Sequence, residues 1–273
     1  MKPPPLRVTR LRFLLATVTA GALLVVAALV LPDPLAADYT AVLASPSLNH
    51  PLGTDQLGRD VAARLLAGAR LTLGLTMATL LVTSVTGTVA GMTAAMIGGP
   101  LGRFVPRIAD LLAALPTILV GLIAAAVLGP GLPSILAAVC AVGWTPFARQ
   151  AYHLTVAEKA REYVIAARSL GAGPFHVIFR EITPNISGPL FAHLLLRFAG
   201  TLLTVSGLSF LGLGVQPPDP EWGAMVAEGR NHLFDAPHLV LAPALAVVLT
   251  ATLATVTGRR LVSSRRPAHS AVP

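Results

Sequence analysis

Six runs of mostly apolar residues divide the chain, and most approach the length of about 20 residues that a helix needs to cross a bilayer. The first run follows basic residues, as in a secretory signal, but it is longer than a signal peptide's apolar core. We therefore predict an uncleaved span, although Leu35-Ala36-Ala37 could mimic a cleavage site. The predicted spans are Phe13–Leu31, Leu71–Ile97, Ile108–Leu128, Leu132–Phe147, Leu190–Leu211 and Leu239–Thr257. This pattern predicts an all-α, polytopic membrane bundle.

The composition agrees with this pattern. Apolar residues make up 54% of the 273 positions and charged residues 12%, whereas an ordinary soluble domain carries about 25% charged residues. Too few polar residues are present to coat a soluble fold, so lipid is the expected surrounding of most side chains. The net charge of +8 does not indicate nucleic acid, because the cations sit at the ends of apolar runs rather than in one basic stripe.

The cations also predict an orientation, because cytoplasmic loops are enriched in lysine and arginine. With the N-terminus inside, the inner segments hold 15 of the 20 lysine and arginine residues, and most acids fall outside. Both termini are therefore predicted to be cytoplasmic. Arg59, Arg64 and Arg70, near the outer end of the second span, run against this assignment.

The longest inner loop, Arg149–Asn185, has helix signals of its own. Thr155 and Glu158 have the spacing of a capping box, which predicts that a helix begins there. We expect this helix to reach Leu170 and to end at Gly171 in a left-handed C-cap.

A second short helix is predicted to begin at Pro174 and to end at Pro184, with the break at Gly171-Ala172-Gly173. The first helix presents the small residues Ala166 and Ala167. Such a compact helical segment suits insertion into a groove on another protein, and the alternative from spacing alone is an ordinary solvated loop.

Two stretches of this loop, Glu162–Ala172 and Ile182–Asn185, resemble the EAA loop of permease subunits of bacterial ABC importers. Other stretches are similar to the second permease of the peptide/nickel branch of that family. They are His50–Asp60, Leu208–Pro218 and Glu221–Met225. The resemblance covers roughly residues 50–250 in the same order, and it implies a type I importer permease in the bacterial inner membrane.

The resemblance implies that the inner loop binds a separate ATP-hydrolysing subunit. The residues at the matching positions are Glu162, Ala166, Ala167, Gly171 and Pro184. Ile165, where a glutamate often stands, and Thr183, where leucine is usual, depart from the family pattern. Glu162 lies one turn before Ile165 and could supply the charge.

The partners implied are a second permease subunit, ATP-binding subunits and an outer substrate-binding protein. ATP and Mg²⁺ would be bound by the partner ATPase, and this chain would bind no cofactor. Residues 1–273 would form a single permease domain: a first span with an outer segment (1–70), a core with the inner coupling loop 149–185 (71–257), and a cytoplasmic tail (258–273). The substrates of this branch are peptides, nickel, metal chelates or opines, and the sequence places peptides slightly ahead.

The outer segment before the second span suggests either a metal site or a capped helix. Thr54 is placed to cap an amphipathic helix at the outer interface. His50, Asp55 and Asp60 could suggest a metal site, but we favour local ion pairs, such as that of Arg59 with a neighbouring acid. No metal site is predicted.

Two further features carry predictions. In the outer loop, Pro217, Pro218 and Trp222 are candidate contacts for the substrate-binding protein, with an interfacial anchor as the alternative role for Trp222. Asp110 and Arg197 are the charges within apolar runs. We favour snorkelling to the nearby interface, and the hypothesis kept beside it is that they pair or that one faces the translocation path.

Catalytic motifs are absent from the sequence. It contains no HExxH, GxSxG or GxxxxGK[ST] pattern, so we predict that the chain is not an enzyme. Two rival classes are an integral-membrane enzyme, which would need a polar catalytic cluster, and a secondary transporter driven by an ion gradient, which would need no ATPase.

Overall fold

A computed structural model describes residues 33–263 of the chain, with side chains to residue 260. The predicted first span, Phe13–Leu31, and the cations before it lie outside the described residues. Within these residues every regular element is a helix, and the only β pairing is an isolated bridge between Thr54 and Asp60.

The helices are numbered along the described chain. They are α1 (Val61–Ile97), α2 (Gly99–Gly102), α3 (Phe104–Ala113), α4 (Thr117–Leu128), α5 (Leu132–Gly143), α6 (Thr145–Lys159), α7 (Glu162–Ser169), α8 (Pro174–His176), α9 (Thr183–Phe210), α10 (Trp222–Gly229) and α11 (His238–Ser263). A π-helical turn, Val177–Ile182, joins α8 to α9, and a 3-10 turn, Arg230–His232, follows α10.

Four helical stretches of the described chain are long and apolar enough to cross a membrane, and a bent pair makes a fifth if it counts as one span. The four are Val61–Ile97, Leu132–Lys159, Pro174–Phe210 and His238–Arg260. Two of them run beyond the predicted spans at the inner face, because polar residues continue the helices past the end of the apolar runs. Hydropathy therefore located these spans but not their ends.

The predicted span Ile108–Leu128 is not one continuous helix. The chain bends by 86° between the helices Gly99–Ala113 and Thr117–Leu128. Pro116 has extended backbone angles at the N-cap of α4. Proline offers no backbone N–H and disfavours helical angles at the residue before it, so the break falls where the sequence places the proline.

The backbones of α1 and α6 pack closely against each other. Gly87 and Gly91 of α1 form a GxxxG pair, and both are buried. A Cβ atom at Gly87 would lie 2.7 Å from the Cβ of Phe147, and one at Gly91 would lie 2.9 Å from the carbonyl carbon of Ala148. Small residues at this spacing let two helix backbones touch inside a membrane.

Smaller apolar clusters attach the other helices to this pair. Leu75 of α1 packs with Ile135 of α5 and with Val205 of α9. A second cluster joins Trp222 of α10 to Val247 of α11, with residues of α9 around them. α1 thus lies at the centre of the bundle, and its lipid-facing side carries exposed valine and leucine residues.

We predict that Gly91→Ala destabilises the bundle by about 1–3 kcal/mol, because the added methyl group overpacks the α1–α6 contact. Gly74→Ala is the matched control in the same helix, since nothing lies within 4 Å of its Cβ position. The control should be neutral or should stabilise the protein by about 0.5–1 kcal/mol. Unfolding in mixed micelles of rising SDS fraction measures both changes, and equal effects of the two substitutions would contradict the packing account.

Candidate functional site

The segment predicted to couple to an ATPase, residues 149–185, is helical along most of its length. α6 continues through Thr155, which is buried with no partner for its hydroxyl. The predicted capping box at Thr155 is therefore wrong. α6 ends instead at Lys159. Arg161 has extended backbone angles, which change the direction of the chain, and α7 begins at Glu162. A carboxylate in the first turn of α7 has a favourable interaction with the helix dipole.

Val164 is the one buried side chain of α7. Val164 is fully buried in a cluster with Met92 of α1, Val177 and Ile182. Its neighbour Ile165 is 53% exposed. The helix therefore rests on the bundle by one face and leaves the other free.

The free surface is unusually apolar for a segment next to the cytoplasm. Leu170, Phe175 and Phe179 are 89%, 76% and 65% exposed. Exposed apolar patches of this kind are typical of protein-binding surfaces.

Gly171 ends α7 as predicted. Its φ is +91°, its N–H donates to the Arg168 carbonyl at 2.9 Å, and the Ala172 N–H donates to the Ala167 carbonyl at 3.0 Å. These two bonds form a Schellman motif, which favours glycine at the left-handed position. The predicted left-handed C-cap is confirmed.

Pro174 begins the next helix as predicted, but Pro184 does not end it. Pro184 lies in the first turn of α9, and the helical path continues from α8 through the π turn to Phe210. The coupling segment therefore runs without a break into a membrane span.

Side-chain hydrogen bonds join the two ends of the segment. Tyr163 donates its hydroxyl to Glu158 and accepts a hydrogen bond of 3.0 Å from the Asn185 side chain, which also donates to the Glu181 carbonyl at 2.7 Å. Desolvation and the bond to Glu158 raise the pKa of Tyr163 to about 12, so its hydroxyl stays protonated. The start of α7 is thereby tied to the start of α9.

Lys159 ties the end of α6 to the end of α1. Its ammonium group donates to the carbonyl of Ala95 at 2.7 Å and lies 3.4 Å from that of Met96. The last carbonyls of a helix have no partner inside the helix, and a cation there also suits the dipole. Sequence reasoning gave Lys159 no role, because this partner lies 64 residues away.

Of the predicted ATPase-coupling residues, Ala167 is half-buried and the others are exposed. The exposed ones are Glu162, Ala166, Gly171 and Pro184. They lie on the segment that also carries the exposed apolar side chains.

At the outer end of α1, four charged side chains form a cluster, which we call the outer cluster: Asp55, Arg59, Arg64 and Glu228. Asp55 accepts bonds from Arg59 at 2.7 Å and from Arg64 at 2.8 Å, and Arg64 also reaches Glu228 at 2.9 Å. The expected pair of Arg59 with a neighbouring acid is confirmed. Arg59 and Arg64 are buried against carboxylates and are therefore not free cations, whereas Arg70 is exposed.

The predicted amphipathic helix capped by Thr54 is wrong. Asp60 caps α1 by accepting the Ala63 N–H at 2.8 Å, while Thr54 is buried and bonds the Ala41 carbonyl. His50 contacts Asp60 at 2.9 Å. The described residues contain no group of three or more possible metal ligands from histidine, cysteine and acids.

Trp222 does not face a partner or the membrane interface. It is 5% exposed, and its indole N–H donates to the Leu65 carbonyl of α1 at 2.9 Å. The preceding Glu221 caps α10 and accepts a bond from Thr72 at 3.0 Å. The predicted contact role of Trp222 is therefore wrong, because this residue fixes α10 on α1. Pro217 and Pro218 are exposed.

A cavity of about 260 Å³ opens between α1, α3–α6 and α9. Two arginines, Arg149 and Arg197, are among the residues that line it. Asp110 bonds Arg149 at 3.2 Å, so its partner is Arg149 and not the predicted Arg197. The cavity wall also contains threonines, among them Thr83 and Thr201.

The comparisons with known proteins agree with this arrangement. The family described as binding-protein-dependent transport system inner membrane component matches residues 87–266. The chain belongs to this family. It is 42% identical to the glutathione transport system permease protein GsiD of Salmonella paratyphi A over 213 residues, which cover 78% of this chain and 70% of the relative. The GsiD protein of Pectobacterium atrosepticum is 36% identical over 213 residues, 78% of this chain and 71% of the relative.

Among solved structures, the inward-facing MetNI methionine ABC transporter is similar in fold. The TM-score is 0.61 at 16% identity, and the match covers 75% of this permease and 97% of the other chain. These comparisons support the peptide/nickel branch and a type I fold. The permease is thus a multi-pass inner-membrane importer subunit, not an ATPase, and nothing found supports the ion-gradient alternative. Its family implies an ATPase, a substrate-binding protein and usually a second permease as partners.

We predict that Gly171→Ala loosens α7, because a Cβ atom is strained at this φ by roughly 1–2 kcal/mol. Gly173→Ala is the control, since its φ is −71° and its Cβ position is equally open. Hydrogen-exchange mass spectrometry should show at least about fivefold faster exchange of the α7 amides in the first variant. Equal exchange rates in both variants would show that the left-handed C-cap at Gly171 does not stabilise α7.

We predict that Arg64→Met destabilises the permease by about 3–5 kcal/mol, because it leaves the buried Asp55 and the half-buried Glu228 without one of their cations. Arg70→Met, an exposed position on the same helix, should change stability by less than about 0.5 kcal/mol. SDS unfolding measures both variants. A loss below about 1 kcal/mol for the first would show that the outer cluster contributes little.

Proposed function

We propose that the permease forms one half of a path for short peptides and links this path to a separate ATPase through residues 149–185. The observation that carries the link is the two-sided character of α7. One face is anchored by the buried Val164, and the other side exposes Ile165, with the exposed Leu170 directly after the helix. A partner that seats on the exposed face would move α7 as a rigid element.

Two connections would carry such a movement into the membrane. The coupling segment continues directly into α9, and Lys159 holds the inner end of α1. Closure of the partner ATPase would then shift two membrane helices together, which is a rigid-body switch of access. ATP and Mg²⁺ would be bound by that partner, and the permease itself would bind no cofactor.

The relatives support peptides as the substrate class. The GsiD proteins are named for glutathione transport, and glutathione is a tripeptide. We propose that this permease carries a substrate of the same kind, in preference to nickel, metal chelates or opines. At the outer face, the exposed Pro217 and Pro218 remain candidate contacts for the substrate-binding protein.

The ATPase contact can be tested by co-purification from native membranes in detergent. We expect Leu170→Asp to lose at least about 90% of the co-purifying ATPase, because a carboxylate would have to enter an apolar interface. Leu48→Asp is the matched control, since Leu48 is fully exposed but belongs to the outer segment; it should keep the ATPase.

The second permease serves as the internal standard and should be retained by both variants. If Leu170→Asp keeps the ATPase, the contact lies elsewhere. If the wild-type chain captures no ATPase at all, the proposed assembly is wrong.

A further inference from the structure

The cavity between α1, α3–α6 and α9 contains an unbalanced positive charge inside the membrane. Arg197 lies 13 residues before the outer end of α9 at Phe210, which is about 20 Å of helix at 1.5 Å per residue. The hydrocarbon layer is about 30 Å thick, so with Phe210 at its outer edge Arg197 lies about 10 Å from its inner edge. The second cation of the cavity, Arg149, belongs to α6.

A guanidinium at this depth needs a counter-charge or a water-filled space. Among the described residues no carboxylate lies within 4.0 Å of Arg197, and the nearby Asp110 is bonded to Arg149. Arginine remains protonated in proteins. The cavity therefore keeps a net positive charge with no acid of the described chain to neutralise it.

The other polar groups of the cavity are weaker partners for an anion. The hydroxyl of Thr83 donates to the Thr79 carbonyl at 2.7 Å, that of Thr201 to the Arg197 carbonyl at 3.1 Å, and that of Thr204 to the Gly200 carbonyl at 2.9 Å. Each of these hydroxyls therefore donates its hydrogen bond to a carbonyl of its own helix. The strong donors among the lining residues are the two guanidinium groups, whose planar fork matches a carboxylate.

We propose that this cavity is a carboxylate-binding station on the translocation path, in which Arg197, assisted by Arg149, holds a carboxylate of the passing peptide. The inference rests on the proposed function, because it names the chemical group that the path recognises. At about 260 Å³ the cavity is smaller than the roughly 300–1,000 Å³ sites that enclose a whole small ligand. It suits one charged end of a peptide, and the same pair of cations would repel a free divalent metal ion.

The test uses the complete importer in vesicles, with both permeases, the ATPase and the binding protein, and follows ATP-dependent uptake. The probes are glutathione and the derivative in which both of its carboxyl groups are amides, each at a concentration that saturates the binding protein. The measured quantity is the ratio of the two uptake rates. Because the same binding protein serves every variant, its own preference cancels when the ratios are compared.

We expect Arg197→Gln to lower the ratio of glutathione to diamide uptake about tenfold, the size of one lost charge-assisted hydrogen bond. Arg197→Lys keeps the charge and should retain most of the preference. Asp110→Asn removes the acid that partly neutralises Arg149, so it should raise the ratio. If Arg197→Gln does not assemble, the raised ratio in Asp110→Asn still tests the carboxylate site. A general loss of folding cannot raise this ratio.

Equal losses for both probes in Arg197→Gln, or an unchanged ratio in Asp110→Asn, would overturn the station. A lipid phosphate could occupy the same guanidinium groups, so the assay is repeated in vesicles of phosphatidylcholine alone. If the effect of Arg197→Gln disappears there, the arginine binds anionic lipid and the proposal fails. If the wild-type importer takes up neither probe, the proposed function is rejected and the station with it.

Discussion

The close contact of α1 with α6 is the constraint on which the rest of the bundle depends. Inside a bilayer there is little hydrophobic force between helices, so association depends on how closely their backbones can pack. Gly87 and Gly91 remove the side chains that would hold α6 away from α1. With this spacing fixed, the inner end of α6 is close enough to α1 for Lys159 to reach the Ala95 carbonyl.

The functional features all meet on α1. The outer cluster and the bonds of Thr72 hold α10 near its beginning, Thr83 contributes to the cavity wall near its middle, and Lys159 caps its end. Buried ion pairs contribute little net stability but become costly when one partner is lost. The outer cluster therefore determines how α10 is positioned on α1, while the glycine contact and the apolar clusters provide most of the stabilisation by packing.

Most of the fold could be predicted from the sequence, because a spanning helix must satisfy its backbone internally and therefore appears as a long apolar run. The left-handed Gly171 was equally visible, since its signal is local. The errors at Thr155 and Trp222 share one cause, a distant partner, whereas the break at Pro116 had a local signal in the sequence. Thr155 has a capping pattern but lies inside a helix that packs on α1, and Trp222 looks like a surface aromatic until the Leu65 carbonyl, 157 residues away, is in place. The GxxxG pair was the available signal for the central contact.

The length of α1 connects the outer cluster with the inner face of the membrane. Its 37 residues rise about 55 Å, whereas a bilayer with its headgroups is about 40–45 Å thick. A straight helix of this length is long enough to reach past both headgroup layers. Because α1 is one uninterrupted helix, a displacement of its inner end would be transmitted to its outer end. The outer cluster, which joins that end to Glu228 of α10, would then resist the displacement.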